Sequence, residues 1–281
     1  MARSDWHRPQ VEPVDENSRR IKLVISYDGT AFHGWQSQNN GISVQNVIES
    51  ALKEITGIDI SVQGSGRTDR GVHALGQVAH FDVPKSITIP AEKYSLAINS
   101  KLPKSVRILS SEEPEGLFHA RFTAMAREYK YFVKANWDML PFDEKHITGI
   151  HHLPSLDVLN SYAELIKGTH DFTSFCSARD DCQSKFRDIY ESYWTETRDI
   201  YGKRVFVYTV CGNAFLYHQV RSMVGTMLTL AQREADSSLF KEILESKDRS
   251  RALQTALSDG LYLARISYDE DEYRWFEGES K

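Results

Sequence analysis

Cysteine is scarce in this chain, with Cys176, Cys182 and Cys211 the three present among 281 residues. An odd, sparse set builds no disulfide framework, and no C-x-x-C pair offers a zinc site. Cys176 and Cys182 stand near enough in sequence to pair, but the low cysteine density argues for reduced thiols and a cytoplasmic setting. Long apolar runs are missing too. None approaches the roughly 20 residues that span a bilayer. The polar stretch from Met1 to Arg20, with its acids and prolines, fits neither a signal peptide nor a transit sequence and reads as a flexible tail. Low-complexity segments are absent. A basic excess is lacking as well: 34 Lys and Arg against 39 Asp and Glu leave a formal charge of −5. Nucleic-acid binders often carry the opposite sign, because phosphate contacts gain affinity by releasing counterions. A basic cleft can still sit on an acidic surface, so local sequence has to decide.

What is present is an ordinary folded composition, 41% hydrophobic and 26% charged, enough for one large or two medium domains. Ile21, Leu23, Ile25 and Tyr27 alternate as a half-buried strand, and Asp28-Gly29-Thr30 ends it with turn chemistry. Ser43 caps a helix carrying Val44, Val47, Ile48, Ala51, Leu52 and Ile55 at helical spacing, and Gly57 suits its end. A strand over Asp59–Gln63, a loop from Gly64 to His73, a strand over Gln77–Val83, a helix from Pro90 to Leu102 and a strand over Val106–Ser110 follow. Ser111–Glu115 is acidic, contains Pro114 and serves as a connection.

Beyond it, Ala126–Lys134 alternates again, with Arg127, Tyr129, Tyr131 and Val133 on one face. Ser155 caps a helix ending at Gly168, and Phe186–Thr197 with Arg204–Cys211 reads as a hairpin. A helix over Leu216–Arg233 buries Val220, Met223, Val224, Met227 and Leu228. Short helices near Leu239–Leu244 and Ala252–Leu257 precede a last strand, Leu261–Tyr268. The expectation is an α+β protein of two similar lobes, with mostly antiparallel sheets flanked by helices and a cleft between them. The boundaries are a tail over 1–20, an N-terminal lobe over 21–115 and a C-terminal lobe over 116–281.

Chemistry concentrates in Gly64-Ser65-Gly66-Arg67-Thr68-Asp69-Arg70-Gly71-Val72-His73. Its glycines allow sharp turns and close approach of a large ligand. Arg67 and Arg70 flank Asp69, and nearby cations favour an ionised carboxylate, which can act as nucleophile or general base. A surface turn with a local ion pair has the same residue types. His73, His80 and His119, with Asp69 and Asp82, invite a metal reading, but they span a loop and a strand and show no supporting ligand pattern.

The order of motifs is more specific. Gly66-Arg67-Thr68-Asp69 followed by Gly71-Val72-His73 resembles the catalytic motif of the TruA-type tRNA pseudouridine synthases. Tyr27-Asp28-Gly29-Thr30, Gly34-Trp35-Gln36, Ser43-Val44-Gln45 and Gln77-Val78-Ala79-His80-Phe81 are similar to that family's flanking segments. So are Phe118-His119-Ala120-Arg121-Phe122, Arg127-Glu128-Tyr129-Lys130-Tyr131, Asp171-Phe172-Thr173-Ser174-Phe175 and Asn213-Ala214-Phe215-Leu216-Tyr217-His218-Gln219-Val220-Arg221. The resemblance runs in order from about residue 21 to residue 268.

It implies an isomerase in which Asp69 attacks the target nucleotide, at the base or at ribose C1′. The uracil is then released, turned and rejoined through carbon, with no cofactor or metal. Tyr129 resembles the active-site tyrosine, with Tyr131 its core neighbour. Arg221 resembles the basic partner that holds the aspartate ionised, although a solvent-facing helix arginine has the same spacing. Arg67 either braces the gap left by an everted base or binds phosphate. Arg70 stands where relatives often have a small residue, and adds a phosphate contact or only solvates the loop. Arg121, Arg127, Lys130 and Leu216 complete the expected substrate surface, the cations forming a positive cleft. The implied substrate is tRNA, at positions 38 to 40 of the anticodon stem-loop, and the implied assembly is a homodimer with no membrane partner. A non-catalytic RNA-binding protein on the same fold would tolerate loss of Asp69, and a metal hydrolase would fail with chelators. The acidic Asp180-Asp181 stretch within Ala178–Lys203 has no assigned purpose.

Overall fold

Ile21, Leu23, Ile25 and Tyr27 turn inward along β1 (Ser18–Tyr27), as a period of two requires. The strand starts three residues earlier than its pattern suggests, so Ser18, Arg19 and Arg20 are not tail. Arg20 grips Asp82 through Nε and Nη2, both at 2.7 Å, and Arg19 donates to the Ile87 and Ile89 carbonyls. Residues 1–9 of the tail expected over 1–20 lie outside the described residues, which in this computed structural model are 10–38 and 41–269.

α1 (Val44–Thr56) begins with a reciprocal cap. Ser43 Oγ accepts the Asn46 N–H at 3.1 Å, and Asn46 Oδ1 accepts the Ser43 N–H at 3.2 Å. Gly57 closes the helix in the left-handed region at φ 77°. The strand expected over Asp59–Gln63 shrinks to β2 (Gln63–Gly64), because the Val62 N–H is spent on the Glu49 side chain at 2.9 Å rather than on a ladder. β3 (His73–Pro84) runs antiparallel to β1 and also carries β2. α2 (Tyr94–Asn99) follows a single 3₁₀ turn, and β4 (Val106–Glu112) pairs with the other side of β1. β4 takes in Ser111 and Glu112, two residues of the expected connection, and Glu112 sits opposite Lys22 with an ion pair of 2.7 Å. Phe81 of β3 meets Tyr94 of α2 edge-on at 5.2 Å in the core.

The described residues divide into two compact units: one runs to Met125 and includes the stretch from Leu263, and the other is Ala126–Tyr262. The division thus falls ten residues beyond the boundary read from Pro114 and its acidic neighbours. Residues 116–125 are tied into the N-terminal unit by the Ala120 N–H on His80 Nδ1 at 3.2 Å. The Phe118 and Tyr268 rings add a contact at 4.9 Å, and the Met125 N–H a bond to the Ser267 carbonyl at 2.9 Å.

In the C-terminal unit β5 (Ala126–Ala135) pairs antiparallel with β9 (Arg204–Gly212) and parallel with the short β6 (Thr148–Ile150). β9 pairs with β8 (Phe186–Arg198), and β8 with β7 (Gly168–Asp171). The helices are α3 (Leu156–Glu164), α4 (Gln219–Gln232) and α5 (Ser237–Glu245). Ser155 occupies the cap position of α3 without a side-chain bond. α4 begins three residues later than expected because His218 takes a left-handed conformation at φ 64°.

The helix expected near Ala252–Leu257 does not form. Its backbone bonds outward to α4 instead, the Leu253 N–H to Thr226 Oγ1 at 3.2 Å and the Ala256 N–H to the Arg221 carbonyl at 3.0 Å. β10 (Leu261–Ser267) contains the division between the units. Lys134, wholly buried at the end of β5, is held by Asp143 at 2.7 Å and Asp199 at 2.5 Å, which staples two loops to the strand. Each unit is therefore α+β with a mostly antiparallel sheet. Among the described residues no helix is long and apolar enough to cross a membrane.

Candidate active site

The loop between β2 and β3 is fixed from several directions by its own unit. The Ser65 N–H donates to the Val78 carbonyl at 2.8 Å, and Gln77 Nε2 donates to the Gly66 carbonyl at 2.8 Å. The Thr68 carbonyl accepts the Trp35 N–H at 3.1 Å, while Thr68 Oγ1 lies 2.8 Å from the Tyr27 hydroxyl. A turn closes at Asp69, whose carbonyl accepts the Val72 N–H at 3.1 Å, with Gly71 at φ 79° inside it. His73 begins β3 buried, its Nδ1 accepting the Gly29 N–H at 3.0 Å. Two glycines permit the neighbouring backbone to come this close. A Cβ on Gly29 would stand 2.0 Å from the Val72 carbonyl oxygen, and one on Gly34 would stand 2.4 Å from that of Thr68. The outcome is a rigid turn with Asp69 half-buried and Arg67 and Arg70 both exposed.

His80 and His119 of the same unit have structural duties. His80 is buried and accepts the Ala120 N–H on Nδ1. Burial, aided by the Arg20 cation and by His119, lowers its pKa to about 3. His119 accepts the N–H groups of both Arg121 and Phe122 on Nδ1, at 3.1 and 3.2 Å. Its proton therefore sits on Nε2, which donates to Gln63 Oε1 at 3.0 Å. Burial first, then Arg20 and Arg121, pushes the His119 pKa down as well. The ring stacks on Phe122 at 4.1 Å, and exposed Arg121 lies over the same phenyl group, 5.9 Å from its centre. The Nδ1 lone pairs of His80 and His119 are taken by backbone N–H groups, which leaves these two rings poor metal ligands, while His73 Nδ1 lies 3.3 Å from Asp28 Oδ1 as well as 3.0 Å from the Gly29 nitrogen.

The remaining expected residues gather in the C-terminal unit around the turn from β9 into α4. Arg127 and Tyr129 lie on the buried face of β5, opposite Gly212 and Val210 of β9. Arg127 is not an exposed cation: it is buried, and its Nη1 donates to the Asn213 carbonyl at 2.7 Å. Tyr129 meets the Phe215 ring edge-on at 5.1 Å. Tyr131, two residues along, is fully buried with its hydroxyl between Thr148 Oγ1 at 2.7 Å and the Leu257 carbonyl at 2.9 Å, which makes it the core residue of the pair. Leu216 is buried, its N–H on Gln219 Oε1 at 2.8 Å. Arg221, in the first turn of α4, is half-buried and donates from Nε to the Ala256 carbonyl at 2.9 Å. Lys130 points to the other face of β5, 3.8 Å from Glu128.

Asp180, unexplained in the sequence, proves to be an anchor. It accepts the Tyr217 N–H at 2.7 Å and pairs with Lys185 at 2.7 Å, fixing the chain just ahead of α4. Although burial opposes it, these bonds hold the Asp180 pKa at about 2. Cys176, Cys182 and Cys211 take part in no disulfide. The contacts of Tyr27 with Thr68 and of Asp180 with Tyr217 were beyond sequence reading, since they join residues 41 and 37 positions apart.

A family model for tRNA pseudouridine synthase matches residues 23–123 and 162–269. Among curated relatives, tRNA pseudouridine synthase A of Anoxybacillus flavithermus is 42% identical over 258 residues, covering 89% of this chain and 99% of its own. The enzymes of that name from Bacillus pumilus and Brachyspira hyodysenteriae are each 40% identical, over 252 and 253 residues, again covering 89% of this chain and 99% of theirs. Matches of this extent show that the chain belongs to the tRNA pseudouridine synthase family.

Proposed function

We propose that this protein converts uridines at positions 38 to 40 of the tRNA anticodon stem-loop to pseudouridine, with Asp69 as the catalytic carboxylate. Membership of the family makes it an isomerase that acts on uridine in tRNA. The finer reading rests on one observation: Asp69 is half-buried in a turn whose flanking peptides are hydrogen-bonded on both sides, between two exposed arginines. A carboxylate that must reach one atom of a nucleotide gains from such fixed geometry. Arg67 braces the everted base or its phosphate, and Arg70 and Arg121 supply further positive charge toward RNA. Tyr129 offers the nucleotide a stacking face and a hydroxyl, Arg221 a guanidinium, and Leu216 an apolar side chain. Arg127, bonded to Asn213, acts by shaping the turn after β9. Cysteines outside any disulfide suit a reducing cytoplasm, and the working assembly is a homodimer.

The test is tritium release from C5-labelled uridine in unmodified tRNA. Asp69→Asn abolishes release while tRNA binding stays within about twofold, since the substitution keeps the shape and removes only the charge. A variant that releases tritium at the normal rate removes Asp69 from the mechanism.

A further inference from the structure

Between Tyr27 and Trp35 the N-terminal unit builds the wall against which the Asp69 turn is set, and one contact in that wall differs from the rest. Most are backbone bonds or steric fits that any sequence with the same glycines could make. The pair Tyr27 Oη and Thr68 Oγ1, 2.8 Å apart, joins two buried side chains. Tyr27 is well placed to act as a fixed post. It ends β1, sits opposite Ala74 of β3 and Val106 of β4, and its ring lies 6.1 Å from that of Trp35. Thr68 is the residue immediately before Asp69. As a β-branched residue its χ1 is coupled closely to its own backbone, so selecting one χ1 well also fixes the peptide that leads into Asp69.

We propose that Tyr27 is a positioning residue for the isomerisation: its hydroxyl sets the Thr68 side chain and thereby the direction of the Asp69 carboxylate. The proposal rests on the reading of Asp69 as the catalytic group. Tyr27 acts through Thr68 and touches no reacting atom, so its loss alters the rate of the chemical step and leaves tRNA affinity alone.

The experiment compares Tyr27→Phe, Thr68→Val, the double variant and Thr68→Ser in single- and multiple-turnover tritium release, with tRNA binding and melting measured on each full-length protein. Each of the first two lowers kcat about tenfold, as small misplacements of a catalytic group do, with KM and tRNA Kd within about twofold of wild type. The double variant is no slower than either single one, because both remove the same bond. Thr68→Ser, which keeps the oxygen, recovers most of the rate lost in Thr68→Val. An unchanged kcat in Tyr27→Phe, a loss that falls in KM instead, or two losses that multiply would overturn the proposal. Should Tyr27→Phe not fold, Thr68→Val removes the bond without touching the ring and decides by the same criteria. Asp69→Asn run alongside separates the two ideas. If it turns over normally, the Asp69 reading itself fails; if it is inert while Tyr27→Phe runs at the wild-type rate, only the positioning role fails.

Discussion

Replacing Gly34 by alanine should damage catalysis far more than it damages the fold, and the size of each effect follows from three distances. An added Cβ would stand 2.4 Å from the Thr68 carbonyl oxygen, 3.2 Å from the Asp69 carbonyl carbon and 3.4 Å from the Arg70 nitrogen. A carbon and a carbonyl oxygen settle near about 3.3 Å, so the Thr68 peptide has to retreat by roughly 0.9 Å. That retreat breaks the Trp35 N–H bond to the same oxygen, now 3.1 Å, at a cost of about 1 kcal/mol. Gly34 also has φ +92°, where a side chain costs a further ~1–2 kcal/mol. The sum is a loss of about 2–3 kcal/mol, which a folded domain of this size survives. With Asp69 as the proposed catalytic carboxylate the catalytic cost is larger, because a displacement approaching 1 Å at a reacting group lowers turnover on the order of 100-fold. Urea denaturation measures the first effect and C5-tritium release under saturating tRNA the second. A Gly34→Ala protein that turns over within about twofold of wild type would refute the claim that backbone contact at residue 34 sets the Asp69 turn.

Two further expectations concern the scaffold. Lys134→Met leaves Asp143 and Asp199 facing each other without their cation, and the cost should be roughly 3 kcal/mol, at the low end for breaking a buried pair because Asp199 retains 14% exposure. Adding Asp143→Asn and Asp199→Asn to Lys134→Met should recover part of that loss in urea titrations, and no recovery would show that the charges are not its source. His80 gives an acid limb to stability. The unfolded chain takes up a proton near the ordinary 6.5 and the native chain not until about 3, so stability falls as pH drops between those values, by up to about 1.4 kcal/mol per unit. His80→Asn, which keeps an acceptor for the Ala120 N–H, should flatten that limb in a pH series of denaturation curves.

Local pattern determined much of this protein. The alternation of Ile21, Leu23, Ile25 and Tyr27, the Ser43 cap with Gly57 at the far end, and the stripe of Val220, Met223, Val224, Met227 and Leu228 each encode an element through neighbours a few positions apart. The Asp69 motif was legible in the same way, since its residue types and spacing are contiguous. Tertiary structure decided the rest. Ala252–Leu257 has a helical spacing but spends its N–H groups on α4, and Val62 spends its own on Glu49 instead of extending β2. Arg127 reads as an exposed cation until the Asn213 carbonyl is seen to hold it inside, and Asp180 has no assigned purpose until it receives the Tyr217 N–H. The physical reason is common to all four. A hydrogen-bonding group takes whichever partner the folded chain brings within about 3 Å, and for partners remote in sequence no local spacing records which one that will be.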